Sequence, residues 1–198
     1  MAKIIGLTGG IATGKSTVSK MLRQKRMNVI DADEIVRNLQ KTGRPLLKKI
    51  AQTFGSTVLN EDGSLNRAAL GQKIFSDEKA RAKIDALIHP EVRAECLRQI
   101  EAFQGEILFL DVPLLFEAGF DDLTDANVVV STTADVQLKR LMLRDGMTSL
   151  QAQKRMDAQM PISEKMSRAD FIINNDGDEK LLEENVEKLL RNLKGIGD

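Results

Sequence analysis

The chain has 198 residues, 42% hydrophobic and 29% charged, and its 29 basic side chains are balanced by 29 acidic ones. That balance excludes the basic field of a protein whose main partner is nucleic acid, so any anion binding must come from local clusters. One cysteine, Cys96, excludes an intrachain disulfide, and no apolar run approaches the ~18 residues of a membrane helix. The opening apolar stretch is too short for a signal peptide and ends at Gly9 and Gly10. The expectation is a cytoplasmic protein with no membrane partner, one domain long with room for insertions.

In chain order, Ile4, Ile5 and Leu7 make a short apolar strand, followed by a glycine-rich turn. Residues 17–26 read as a helix, with Val18, Met21 and Leu22 on one face. Residues 28–30 are a second strand candidate, ending at Asp31. The stretch from about 34 to 103 is mostly helical in pattern. Ile84, Leu87, Ile88 and Val92 recur at helical spacing, and Pro90 is expected to interrupt them because the residue before a proline avoids the α region. Residues 107–110 are a continuous apolar run closing on Asp111, which suits a central parallel strand buried on both faces, and residues 127–130 are another. Residues 134–145 and 149–160 read as helices rich in Lys and Arg, and residues 171–173 as a last strand. Leu182, Val186, Leu189, Leu190 and Leu193 give an amphipathic closing helix.

Strands alternating with helices imply right-handed crossovers and a parallel α/β sheet. The expected fold is a P-loop NTPase-type parallel sheet flanked by helices. It carries a helical insertion over about 34–104 and a helical lid over about 135–168, leaving about 1–33, 105–134 and 169–198 as the core.

Gly9-Gly10-Ile11-Ala12-Thr13-Gly14-Lys15-Ser16 matches G-x-x-x-x-G-K-[ST] in full, with a strand before it and a helix after it. Glycines let the backbone wrap closely around phosphate oxygens, and the loop N–H groups and the helix N-terminus then face the anion. Lys15 is expected to reach the β- and γ-phosphates and the Ser16 hydroxyl to ligate Mg²⁺, with Thr17 completing the ATP-binding stretch. Asp111, closing its strand, is the natural second metal ligand, or else only a strand-end cap.

Three classes share this loop. A GTPase switch calls for a guanine-reading Asn-Lys-x-Asp segment, and Asn174-Asn175-Asp176-Gly177 lacks the lysine. A motor ATPase calls for an acidic pair after the metal-binding strand, where Val112 and Pro113 stand. A small-molecule kinase needs an acid near the acceptor hydroxyl, an acceptor pocket and a mobile basic lid. Asp31-Ala32-Asp33 follows the second strand, and ligands gather at the carboxyl ends of strands in a doubly wound sheet. Asp31 is expected to cap the next helix and Asp33 to be the base. Lys139, Arg140 and Arg144, with Lys154, Arg155 and Arg168 further on, are lid candidates. Arg140 and Arg144 are four apart and share a helix face, which is equally the pattern of a solvated face. His89, the one histidine, stands at the expected helix break as either a local hydrogen-bonding residue or a functional one. Cys96 and His89 lack the further ligand spacing of a metal site.

The segment from Gly6 to Ser16, Asp31-Ala32-Asp33 with Arg37, and Ile88-His89-Pro90 keep one order along the chain with Asp111-Val112-Pro113-Leu114-Leu115-Phe116-Glu117 and Arg144-Asp145-Gly146. Ala169-Asp170, followed by Asn175 and Gly177, closes the series, and together these segments resemble the dephospho-coenzyme A kinases over nearly the whole chain. The resemblance implies ATP with Mg²⁺ as phosphoryl donor and the ribose 3′-hydroxyl of dephospho-coenzyme A as acceptor. The products are ADP and coenzyme A, in the last step of coenzyme A synthesis. It also implies a nucleotide core, a helical acceptor part and a lid. It matches Asp33 to the base and His89, Leu114 and Phe116 to the acceptor side, where Thr8 and Arg37 of its motifs are also expected; Lys15 and the lid candidates Arg140 and Arg144 complete the expected catalytic set. Asn175 falls where the family approaches adenine. Thr13 stands where serine is frequent, and Asn66 stands before Arg67 where aspartate is common, which leaves the role of Arg67 open. Another small-metabolite kinase, such as a nucleoside monophosphate kinase, is the alternative, with a nucleotide-dependent switch behind it. Nothing in the sequence fixes an oligomeric state.

Overall fold

A computed structural model describes residues 2–75 and 77–195. The chain divides into two compact units, one made of residues up to 30 together with those from 103 onward, the other of residues 31–102. In chain order the elements are β1 (Lys3–Gly9), α1 (Lys15–Gln24) and β2 (Asn28–Asp31), then α2 (Ala32–Leu39), α3 (Pro45–Phe54), α4 (Arg67–Phe75) and α5 (Glu78–Ala102). After them come β3 (Ile107–Asp111), β4 (Ala126–Ser131), α6 (Ala134–Asp145), α7 (Ser149–Asp157), α8 (Ile162–Ser167), β5 (Phe171–Asn174) and α9 (Glu179–Gly195).

The first unit is built on a five-stranded parallel sheet in the order β2-β3-β1-β4-β5, with β1 in the middle. Leu7 of β1 is level with Asp111 of β3 on one side and with Val128 of β4 on the other. The apolar runs in these strands are buried on both faces, as a parallel sheet requires. One face packs against Val18, Met21 and Leu22 of α1 and against Leu182, Val186, Leu189 and Leu193 of α9, so both predicted amphipathic stripes are used. The helix expected over 149–160 ends early, at Asp157, and a separate short helix follows from Ile162. α7 starts on a capping box between Thr148 and Gln151, and the chain leaves the helix before Pro161, which disfavours α geometry at Met160.

In the second unit, Leu46, Leu47 and Ile50 of α3 pack with Val58, Leu65, Leu70 of α4 and Ile84 of α5. Asp31 caps α2 as expected, its carboxylate accepting from the Glu34 N–H at 3.0 Å. Asn66 accepts from the Ala69 N–H at 2.9 Å at the head of α4, a task that asparagine and aspartate do equally well. The break expected at Pro90 is absent, because α5 runs for 25 residues straight through it. Proline removes one helical hydrogen bond and crowds the preceding turn, but Ile84 on one side and Val92 and Cys96 on the other are buried, and packing of this kind outweighs the local defect. No described helix is long and apolar enough to cross a membrane.

Candidate active site

The central strand delivers its C-terminal end into the phosphate loop. Thr13 turns back on Gly10, its N–H and its hydroxyl both donating to the Gly10 carbonyl at 3.2 and 2.9 Å. Ala12 has φ 61 and Gly14 φ 95, both in the left-handed region. At Gly14 glycine is required twice over, since a Cβ there would also collide with the Asn175 amide. α1 begins at the next residue with no acidic side chain in its first turn, so its positive end faces the loop uncompensated.

Lys15, the first residue of α1, lays its ammonium on the carboxylate of Asp111 in an ion pair. Asp111 is 3% exposed and Lys15 14%, so the pair is largely withdrawn from water. A triphosphate entering the loop offers Lys15 a second anionic partner. Ser16, beside it, is exposed.

Asn175, expected near adenine, is buried and bonds the loop itself. Its Nδ2 donates to the Thr13 carbonyl at 2.8 Å, and its own N–H to the Ser131 carbonyl at 2.8 Å. Asp176 ties the exits of β4 and β5 together, accepting from the Thr132 hydroxyl at 2.6 Å and the Thr133 N–H at 2.7 Å. The Thr132 hydroxyl, more than the Thr133 amide, holds its carboxyl below the usual carboxylate range. A cavity of about 470 Å³ opens beside the loop, lined by Gly14, Thr17, Lys20, Arg140, Asn175 and Gly177 among others.

Arg140 therefore stands at this cavity, whereas Arg144 is bound to its neighbour Asp145 at 2.8 and 3.1 Å, and Arg155 joins the same carboxylate at 3.0 Å. Thr8, expected on the acceptor side, is fully buried, and its hydroxyl donates to the Pro113 carbonyl at 3.0 Å. Leu114 is 37% exposed, while Phe116 is buried with the Arg168 guanidinium 5.8 Å over its ring. In the second unit, Asp33 and Arg37 are exposed and lie one turn apart on α2. His89 sits inside α5 rather than at a break, with Nε2 3.9 Å from Asp85. That unit has a cavity of its own, about 520 Å³, with Arg44, Glu95 and Arg98 in its wall; the Arg98 guanidinium pulls the Glu95 carboxyl down to about 2. Burial pushes the Cys96 thiol up to about 12, which removes it as a nucleophile or thiolate ligand.

Three further residues fall in none of the sequence motifs, two glutamines at the loop and one lysine beyond it. Gln137 donates to the Ile11 carbonyl at 2.7 Å and Gln159 accepts from the Ile11 N–H at 2.8 Å. Lys165, fully buried, donates to the Pro113 carbonyl at 3.0 Å and pairs with Glu117 at 2.9 Å. Gln137 was legible in one respect, as a polar residue at the same register of α6 as buried Leu141.

A parallel sheet whose central strand feeds a G-x-x-x-x-G-K-S loop, with a carboxylate at the end of the neighbouring strand, is the core of the P-loop kinases. Shikimate kinase from Bacteroides thetaiotaomicron shares that fold at TM-score 0.54 and 19% identity, over 97% of this chain and 98% of that one. The sequence profile of the dephospho-CoA kinases matches residues 3–180. A dephospho-CoA kinase of Anaeromyxobacter dehalogenans is 46% identical over 196 residues, 98% of this chain and 93% of that protein. The solved dephospho-CoA kinase of Campylobacter jejuni superimposes at TM-score 0.76 and 28% identity over the whole of both chains. The chain belongs to the dephospho-CoA kinase family.

Proposed function

We propose that this enzyme transfers the γ-phosphoryl group of ATP to the ribose 3′-hydroxyl of dephospho-coenzyme A, releasing ADP and coenzyme A. The observation that carries the reading is the family match over residues 3–180 of a chain whose phosphate loop is complete and held by buried partners. The 3′-oxygen forms a bond to the γ-phosphorus as the bond to the β-phosphate oxygen breaks, and the hydroxyl proton passes to Asp33. A carboxylate is a weak base toward an alcohol, but phosphoryl transfer runs through a loose transition state in which the proton can leave late. The first task of Asp33 is then to accept a hydrogen bond and aim the oxygen.

The N–H groups from Gly9 to Thr17 hold the phosphates, and Lys15 exchanges part of its contact with Asp111 for the β- and γ-phosphates. Arg140 and Arg144 supply positive charge to the transferring group, while Arg37, His89, Leu114 and Phe116 serve the acceptor. Asn175 fixes the loop beside the adenine side. Mg²⁺ suits the donors present. Ser16 hydroxyl and Asp111 carboxylate are hard oxygen ligands, and among the described residues no group of three or more His, Cys, Asp or Glu forms a protein cage. An ion held by one or two such groups, water and substrate phosphates is the usual arrangement for Mg²⁺, and it neutralises phosphate charge there. The helices α6 to α8 are the lid in this reading and residues 34–104 the acceptor part. The single buried cysteine favours a reducing compartment, and we place the reaction in the cytoplasm.

The test is ADP release measured across acceptors. Turnover with dephospho-coenzyme A and not with nucleoside monophosphates is expected. Turnover with a nucleoside monophosphate instead would transfer the assignment to the other kinase class, and nucleotide binding without any acceptor-dependent turnover would favour a switch.

A further inference from the structure

Two glutamines outside the motif grip one residue of the phosphate loop from both sides. The Ile11 N–H donates to Gln159 Oε1 at 2.8 Å, and the Ile11 carbonyl accepts from Gln137 Nε2 at 2.7 Å. Gln137 lies in the first turn of α6 and is 5% exposed. An apolar side chain would serve that core-facing position at least as well, so the amide is there for what it bonds. Gln159 lies in the turn between α7 and α8. The next N–H, that of Met160, donates to Glu117 Oε1 at 3.2 Å, and Lys165 holds the same carboxylate at 2.9 Å. The turn that presents Gln159 is therefore itself anchored. Gly10 fits the same arrangement, because a Cβ there would sit 2.8 Å from Gln137 Nε2.

The residue after Ile11 is Ala12, the one non-glycine residue described in this loop with left-handed backbone, at φ 61. A Cβ disfavours that conformation, so surrounding contacts must hold it. The angle φ of Ala12 is the rotation of the Ile11–Ala12 peptide about its N–Cα bond, and the carbonyl of that peptide is the group Gln137 fixes. Gln159 fixes the peptide before it. We propose that Gln137 and Gln159 are positioning residues for phosphoryl transfer. By clamping Ile11 they keep Ala12 left-handed, and with it the direction of the loop N–H groups that receive the phosphates of ATP. The inference rests on the reading of this loop as the ATP site and not on the identity of the acceptor.

Gln137→Leu keeps most of the bulk and loses the donor, and Gln159→Leu loses the acceptor. ADP binding is measured by calorimetry without acceptor, beside steady-state kinetics and thermal melts. Each variant is expected to weaken ADP binding and raise the KM for ATP about tenfold, with the acceptor KM unchanged. In an Ala12→Gly background Gln137→Leu should cost about threefold or less, because glycine takes the left-handed conformation without a clamp. Unchanged ADP affinity with only a lower melting temperature would overturn the proposal, and so would an equal loss in the alanine and glycine backgrounds. Since ADP binding is read without acceptor, a wrong acceptor assignment leaves both outcomes readable.

Discussion

The phosphate loop and the basic end of α6 both handle charge, and they are held by different physics. The loop rests on withdrawn contacts: Asn175 on the Thr13 carbonyl at 2.8 Å, the Thr13 hydroxyl on Gly10 at 2.9 Å, and the nearly buried pair of Lys15 and Asp111. The end of α6 rests on a water-exposed cluster, Arg144 and Arg155 sharing Asp145, with the two arginine side chains 56% and 43% exposed. Polar contacts out of water fix geometry, because leaving one unmade is expensive. Exposed ion pairs are worth little and are screened by salt, so their members can change partner at small cost. The backbone of the loop is thus fixed by buried contacts, whereas Arg144 is held only by an exposed pair that it can leave at small cost.

The largest effect that would sharpen this contrast is expected at Lys15. Lys15→Ala should lower kcat about 10³-fold or more and weaken ATP binding, since it removes the loop's one side-chain cation. Near-normal turnover would take the loop out of the mechanism. Arg140→Ala should cost about 10³ in kcat and, since Arg140 also lines the cavity beside the loop, weaken ATP binding to a smaller extent. If Arg140→Ala and Arg144→Ala alter nothing except solubility or salt response, this face of α6 is merely solvated and the contrast fails. Asp33→Asn should cost about 10² or more in kcat with ATP binding kept. Should the Mg²⁺ dependence of nucleotide binding collapse along with turnover in that variant, Asp33 belongs to the metal site and is not the base.

The same contrast explains what the sequence could reveal. The phosphate loop is contiguous, so eight residues state the whole motif, and the strand before it and helix after it follow from local pattern. The β3 run closing on Asp111 was equally plain. The clamp was not, because Gln137 and Gln159 lie 126 and 148 residues from Ile11 and a lone glutamine, in a helix or in a turn, has no spacing signature. Lys165 was hidden for a different reason: in sequence a lysine between a glutamate and a methionine reads as solvated, and only the fold buries it against Glu117. Pro90 misled in the opposite direction, since its local penalty is real and the buried residues on either side of it outweigh it.

The smallest effect is expected at Asp145, and it probes the loosely held side of the contrast. The Arg144 side chain hydrogen-bonds this carboxylate and, with Arg155 adding charge, holds its pKa below the usual carboxylate range. A carboxylate lowered in the folded state stabilises the fold at pH above its ordinary value, and that contribution disappears as pH falls through the lowered one. Asp145→Asn lacks the contribution at every pH. The melting-temperature difference between the parent and the variant should therefore be small at pH 7, shrink in high salt, begin to fall below about pH 4 and vanish once pH is below the lowered value. Turnover should change little, because Asp145 serves Arg144 only while the arginine is away from phosphate. If Asp145→Asn instead costs as much kcat as Arg144→Ala, the two act as one unit during transfer. Arg144 would then reach the phosphates still bound to Asp145, and the exchange of partners drawn from its exposure would be wrong.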